Sequence, residues 1–377
     1  MEDVRAREIG GVARRGEDVV AGALVRVEPS PGFAAASSTQ AIATFTDSAG
    51  FFSVRPVALR YDLSTKLGDD LLYYRAVAGR YLEPSLEGPR VFGRAYAARV
   101  DVRLDRPIAE GRSVAFFANG NDVFTVSGDL TTGLSVLQRK YVVAGAIHVL
   151  EYETAGGFEK ATAYGKADVS FDAGVARVVN IVLEPIPFVM EPAFAISAPP
   201  GFAPTEIEIR FGFSRTSDAL LATVPVGSTR SIPAIPNAGY TYRVRATHDG
   251  AVSDTGENLF NPAGAVTEIE LPHPPALAAP ADGETRAVGE TLLVDGEGLF
   301  EHVLAPEGGG RTIRIVTRQR EATLPDPTAL GAPVATGPHT WTVRAFPTAR
   351  FPEELSGLDT RRYRPMGTAR PRTIVLR

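Results

Sequence analysis

The stretch Ala98-Arg99-Val100-Asp101-Val102-Arg103-Leu104 alternates apolar and charged residues without a break. Period-2 patterning rich in Val and Ile places one face of an extended chain in a core and the other in water, which is the pattern of a half-buried antiparallel strand. The same alternation returns in Ala23-Leu24-Val25-Arg26-Val27-Glu28, in Ile207-Glu208-Ile209-Arg210-Phe211 and in Thr312-Ile313-Arg314-Ile315-Val316. No amphipathic helical period of comparable strength occurs. Thr216 to Ala222 and Pro352 to Leu358 are the two places where a turn or two of helix is expected. The 37 glycines and 29 prolines punctuate the chain at intervals that suit short strands and turns. The fold class read from this is all-β, a tandem array of antiparallel β-sandwiches.

Comparison of strand ends gives a weak internal repeat. Val100–Leu104 is followed by Pro107, Val179–Leu183 by Pro185 and Pro187, and Thr267–Leu271 by Pro272, while Thr373–Leu376 ends the sequence. The recurrence of Leu104, Leu183, Leu271 and Leu376 is close to the ~100 residues of an Ig-like sandwich. Proline after a strand breaks its ladder and stiffens the junction. Each of these strands is read as the last of its domain, dividing the chain into 1–106, 107–187, 188–272 and 273–377. Tyr242-Arg243-Val244-Arg245-Ala246 and Trp341-Thr342-Val343-Arg344-Ala345 echo one another, and the single tryptophan is placed in the last core. Four such domains in line predict an elongated rod.

Composition narrows the chemistry. With no cysteine in 377 residues, thiolate catalysis, disulfides and iron–sulfur ligation are unavailable. The five histidines, His148, His248, His273, His302 and His339, are singletons with no metal-ligating spacing. A net charge of −5 argues against a nucleic-acid partner. No apolar run approaches the ~18 residues needed to span a membrane as a helix. There is no Gly-x-Ser-x-Gly; Gly165-Lys166 is followed by Ala167, so no phosphate loop is formed; no dinucleotide fingerprint occurs. An enzyme is not expected, and neither a cofactor nor a metal is implied. The polar start, Met-Glu-Asp-Val-Arg, lacks a signal peptide's apolar region and, taken literally, reads as cytoplasmic.

The first domain resembles the carboxypeptidase regulatory-like family, a small transthyretin-like sandwich. The residues that carry this are Gly11-Val12, the strand Gly22-Ala23-Leu24-Val25-Arg26-Val27 and the hairpin Thr46-Asp47-Ser48-Ala49-Gly50-Phe51-Phe52-Ser53-Val54, in the family's order. Arg60-Tyr61-Asp62-Leu63 resembles the motif that follows, with Arg60 where the family has glycine. The last domain more weakly resembles fibronectin type III-like domains, through Pro275–Gly283 and His339–Ala345. Such arrays resemble those of exported bacterial envelope proteins, lipoproteins included. The resemblance implies a non-catalytic spacer or adhesive module outside the cytoplasm, with an envelope or surface protein or a polysaccharide as partner.

Several residues invite a functional reading beside a structural one. Asp69 and Asp70 stand next to Tyr73, Tyr74 and Tyr81, an acidic and aromatic set that would suit a sugar or a partner at a loop tip; packed strand tyrosines and solvated aspartates are the alternative. Asp47 to Gly50 is a cation loop or a hairpin turn, and six to eight oxygens would be needed for calcium. Asp101 with Asp105, and Asp282 with Asp295 and Glu297, carry the same two readings. Arg361, Arg362, Arg364, Arg370, Arg372 and Arg377 form either an anion-binding end or a charged rim that blocks edge pairing. A carbohydrate-binding accessory protein and a filament subunit assembled through sheet edges are the two alternatives to the spacer reading.

Overall fold

A computed structural model describes residues 9–15, 18–30, 41–55, 60–78, 81–82, 98–118, 122–126, 134–138, 144–170, 176–214, 217–349, 355 and 365–377. Its regular structure is almost wholly β-strand, arranged as packed antiparallel-rich sheets; Gly157–Lys160 and Pro327–Leu330 are short 3-10 turns. Ser217–Pro225 is a strand paired with Glu206–Ser214, so the helical turn expected from Thr216 is replaced by a ladder. The second expected turn, Pro352 to Leu358, falls almost entirely outside the described residues. The chain forms two compact units: unit 1 is Met1–Arg90, Thr247–Asp254 and Pro272–Arg377, and unit 2 is Val91–Ala246 and Thr255–Leu271.

Unit 1 is built on one continuous sheet to which the first and last parts of the sequence both contribute. Its strands run, side by side, Ile42–Phe45, Leu24–Pro29, Tyr61–Leu67, Asp70–Val77, Ile313–Thr317, Leu299–Pro306 and Gly337–Phe346. Neighbours are antiparallel except at the middle, where Leu71–Tyr74 lies parallel to Ile313–Val316. A smaller sheet of Ile9–Val12, Phe51–Val54 and Tyr81–Leu82 supplies Ile9, Phe52 and Val54 to one core, which Leu299, Val316 and Phe346 from the last segment also enter. A second small sheet, Ala276–Ala279 with Thr291–Asp295 and Glu321–Thr323, supplies Leu277, Leu292 and Val294 to another core, and Leu71 and Tyr73 from the first segment enter that one. The two cores take alternate residues of the central strands, so they lie on opposite faces of the sheet. Trp341 is fully buried in the second, as the sequence predicts. The end-to-end order expected of a rod does not hold within unit 1: the first and last segments are joined through one sheet.

Unit 2 has a middle sheet, Asp122–Val126, Arg112–Ala118, Ala144–Glu153, Ala161–Ser170 and Glu184–Pro185, with both faces covered. Val114, Phe116, Ile147 and Val149 pack with Val100, Val102 and Ile181 on one side. Ala115, Phe117, Leu150 and Tyr152 pack with Ile207, Phe211 and Val244 on the other. Within the first core the sheets approach closely at Gly165, where an added Cβ would stand 2.5 Å from Ile181 Cγ2 and from the Val182 carbonyl oxygen. Backbone cannot yield as a side-chain tip can. Gly165→Ala is therefore expected to cost about 1–3 kcal/mol by overpacking, read as a lower urea midpoint at unchanged slope.

Four parallel pairings recur along the described residues. Gly10 pairs in parallel with Tyr81, Arg99–Leu104 with Ala176–Ile181, Phe194–Ser197 with Thr267–Glu270, and Thr285–Arg286 with Val375–Leu376. The alternating stretch 98–104 is thus a strand, and its partners are Leu134–Gln138 and Ala176–Ile181 rather than any described strand of residues 9–82.

Candidate functional site

The residues singled out as a binding loop lie at the join of unit 1. Leu67 and Asp70 pair across a two-residue hairpin whose first central residue, Gly68, has φ +64°. A positive φ at that position suits a tight hairpin and costs glycine nothing. The turn delivers Asp69 and Asp70 to the incoming last segment. The Asp70 carboxylate accepts from the Thr312 backbone N–H at 2.9 Å, and the Leu71 N–H donates to the Thr312 carbonyl at 2.9 Å. Arg311 Nε donates to the Asp69 carbonyl at 2.7 Å. Beyond this clasp, Leu71, Leu72, Tyr73 and Tyr74 run beside Ile313, Arg314, Ile315 and Val316.

Tyr73 and Tyr74 are 4% and 1% exposed, in different cores. They form no surface platform and cannot stack on a sugar. Successive strand residues face opposite ways, and here both faces are covered. Burial raises the Tyr73 hydroxyl pKa well above its ordinary value, against a smaller opposing pull from Arg75. Tyr81 lies in the short strand beside Gly10 and Gly11, away from the clasp in the pairing order. Of the five predicted residues, the structure brings Asp69, Asp70, Tyr73 and Tyr74 together, and their common partner is the last segment.

Near this join lies an open polar cleft of ≈ 230 Å³, bordered by Ser30, Asp62, Arg75, Thr317, Gln319 and Glu321. Asp62 is buried opposite a bulge in which Ala76 adopts φ +55°. Its carboxylate accepts from Ser30 Oγ, from the Ala76 N–H at 2.9 Å and from Arg75 Nη1 at 2.7 Å. Arg75 also stands 3.9 Å from Glu28 and 5.9 Å from the Tyr73 ring centroid. The buried charge of the cleft is therefore answered from within the first segment. Gln319, Glu321 and Thr323 are exposed at its other side. Sequence reading missed this cleft, because Asp62 and Glu321 belong to different ends of the chain.

Several of the remaining candidates hold the backbone or pair with a neighbour where they are described. Asp47 accepts from Ala49 N–H at 2.8 Å and Phe51 N–H at 2.9 Å, closing a turn in which Gly50 takes φ +72°. Asp105 accepts from Leu183 N–H at 3.0 Å, and Asp282 from Thr373 N–H at 2.7 Å. Asp101 sits mid-strand between Ser135 and Val178, and Asp295 is exposed at a strand end. Arg370 pairs with Asp249, and Arg372 donates to the Pro280 carbonyl; Arg361, Arg362 and Arg364 lie outside the described residues. Glu151, buried in unit 2, is held by Arg112 and Arg106: burial alone would raise its pKa, and the two guanidiniums bring it below the ordinary value. Among the described residues no cluster of three or more His, Asp and Glu side chains could hold a metal ion, and no helix is long and apolar enough to cross a membrane.

No family model matches the chain, and no curated protein matches it. Among solved structures, a minor pilin of Streptococcus agalactiae is similar at 11% identity over 48% of this chain and 97% of its own, with a TM-score of 0.21. The four N-terminal Ig domains of Dscam1 match at 11% identity over 99% of this chain and 100% of theirs, with a TM-score of 0.19. A putative adhesin of Bacteroides ovatus matches at 12% identity over 50% of this chain and 95% of its own, with a TM-score of 0.16. At TM-scores this low the likeness does not extend to function.

Proposed function

We propose that this chain is a non-catalytic structural and adhesive module of an exported bacterial protein, held at the cell envelope or secreted. The observation that carries this reading is the join of unit 1. The reading is supported by the most conspicuous acidic and aromatic cluster in the sequence, which pairs with the chain's own last segment and joins first and last parts of the chain through one sheet. The carboxypeptidase regulatory-like and fibronectin type III-like resemblances, the four-segment division and a lipid anchor belong to the same proposal. So does the expectation of a surface protein or polysaccharide as partner.

A second reading, carbohydrate binding, is favoured by the polar cleft, where Gln319, Glu321 and Thr323 offer hydrogen bonds suited to sugar hydroxyls. One experiment separates the two: retention of the purified chain on isolated envelopes, peptidoglycan and insoluble polysaccharides across a salt series. The structural and adhesive reading expects saturable retention on envelopes that survives high salt. Retention on a polysaccharide that is lost in the double variant Gln319→Ala, Glu321→Ala, at unchanged melting temperature, would favour the cleft. Retention lost by a few hundred millimolar salt marks screened surface charge only, and it would overturn both, as would no retention at all.

A further inference from the structure

The connectivity of the two units determines how the molecule carries tension. Unit 1 holds the first ninety residues and everything from Pro272 onward, while unit 2 is made of chain that leaves unit 1 and returns to it. A pull applied at the two ends can travel by two routes. One is covalent and passes through unit 2. The other crosses unit 1 directly, from the first segment to the last, through the clasp and the four parallel residue pairs. Asp70 and Thr312 are 242 residues apart in sequence and joined by a hydrogen bond of 2.9 Å. While that join holds, the ends cannot separate enough to tighten the covalent route, and the load falls on the join.

The join is made to resist. Its backbone pairing is flanked by the Arg311–Asp69 and Thr312–Asp70 bonds at one end. It is covered on both faces, with Tyr74 and Val316 in one core and Tyr73 and Ile315 in the other. Parting it breaks main-chain bonds and exposes apolar surface on both sides of the sheet together. A second attachment lies further along. Val252 and Ser253 pair with Thr368 and Gly367, Ser253 Oγ donates to the Pro272 carbonyl, and the Asp254 N–H donates to the Met366 carbonyl at 2.9 Å. The long stretch Val91–Ala246 of unit 2 is thereby bracketed between two anchorages in unit 1.

We propose that the join between the first and last segments is a mechanical latch. Closed, it shields unit 2 from tension between the ends; opened above a threshold force, it places unit 2 in the line of load and releases stored length. At ~3.5 Å per extended residue, the chain between Asp70 and Thr312 holds about 850 Å. The usefulness of such a latch rests on the surface reading above, because an envelope protein is pulled and a free one is not. The latch itself rests only on the fold.

The test is force spectroscopy on the full chain, with handles fused at its two ends. The expected record is a resisted first event followed by the unit 2 steps, never the reverse. Asp70→Ala and Arg311→Ala, both at the clasp, are expected to lower the force of the first event and leave later events unchanged. Because the sequence has no cysteine, Asp70→Cys with Thr312→Cys provides a single thiol pair one residue before the paired Leu71 and Ile313. Oxidised, that variant is expected to lose about 850 Å of total extension, and reduction is expected to restore it. The latch is overturned if the ends extend without a resisted first event, or if unit 2 steps come first. It is equally overturned if the clasp variants leave the first force unchanged. A chain that holds no envelope material yet gives the ordered record removes the surface reading and keeps the latch; the opposite pair of results does the reverse.

Discussion

Tyr74→Ala is expected to destabilise unit 1 by about 3–5 kcal/mol, the range for truncating a large buried aromatic. Tyr74 is 1% exposed and stands beside Val316 across the join, in a core with Phe52, Leu63 and Phe346. Truncation removes its own buried surface and leaves a void between two segments that are distant in sequence. Those segments cannot close on the void without breaking the register Leu71–Tyr74 with Ile313–Val316. The companion change Tyr73→Phe has the opposite expectation. The Tyr73 hydroxyl is buried with no hydrogen-bond partner among the described residues. Removing it relieves a desolvation cost of ~1–3 kcal/mol, so Tyr73→Phe is expected to be neutral or stabilising. Denaturant melts of the three proteins check both. A Tyr74→Ala protein with wild-type stability and lost ligand retention would return the pair to the surface and remove the join as described here.

The two tyrosines also show where the sequence was readable and where it was not. Period-2 alternation identifies 98–104, 207–211 and 312–316 as strands because the signal is local: side chains alternate along a strand. Which strand pairs with which is not local. Val100–Leu104 carries the same pattern whether it ends one sandwich or opens the next, and only its parallel partner Ala176–Ile181 decides. Tyr73 and Tyr74 carry two readings in the sequence: beside Asp69 and Asp70 they suit a binding loop tip, and as strand tyrosines they suit a core. The signal against the first reading was present in Leu71-Leu72-Tyr73-Tyr74, an unbroken apolar run. Such runs mark strands covered on both faces. Ile315-Val316 in the partner strand and Val149-Leu150 in the middle sheet of unit 2 carry the same mark. The cleft had no comparable signal, since its two sides are far apart in the chain and meet only once the join has formed.

Mild acid is expected to weaken both units through two histidines that the sequence offered only as singletons. His302 is fully buried, stacked on Trp341 with ring centroids 6.1 Å apart and planes 13° from parallel, and neither ring nitrogen has a hydrogen-bond partner among the described residues. Desolvation pushes its pKa down to about 3. In unit 2, His148 stacks on Phe213 at 4.1 Å, and its Nδ1 shares a 2.8 Å hydrogen bond with Tyr164 Oη. Desolvation, aided by Lys166, brings its pKa down to about 4. In the unfolded chain both groups titrate near ~6.5. Below that pH the unfolded state binds protons that the folded state refuses, so stability is full above ~6.5 and falls as pH drops toward the folded values. At ~1.4 kcal/mol per pH unit below ~6.5, each histidine is expected to cost its unit about 2 kcal/mol at pH 5. The lowered pKa of Glu151 makes its contribution fail only at more acid pH, so it is silent in this window. His302→Phe keeps a ring against Trp341 and removes the titrating group, so unit 1 is expected to lose its share of the acid sensitivity and to gain stability at pH 5. Urea titrations at pH 7.5 and 5.0 read this directly. An equal loss in wild type and variant would mean that the imidazole is protonated in the folded core, with a partner this fold does not supply.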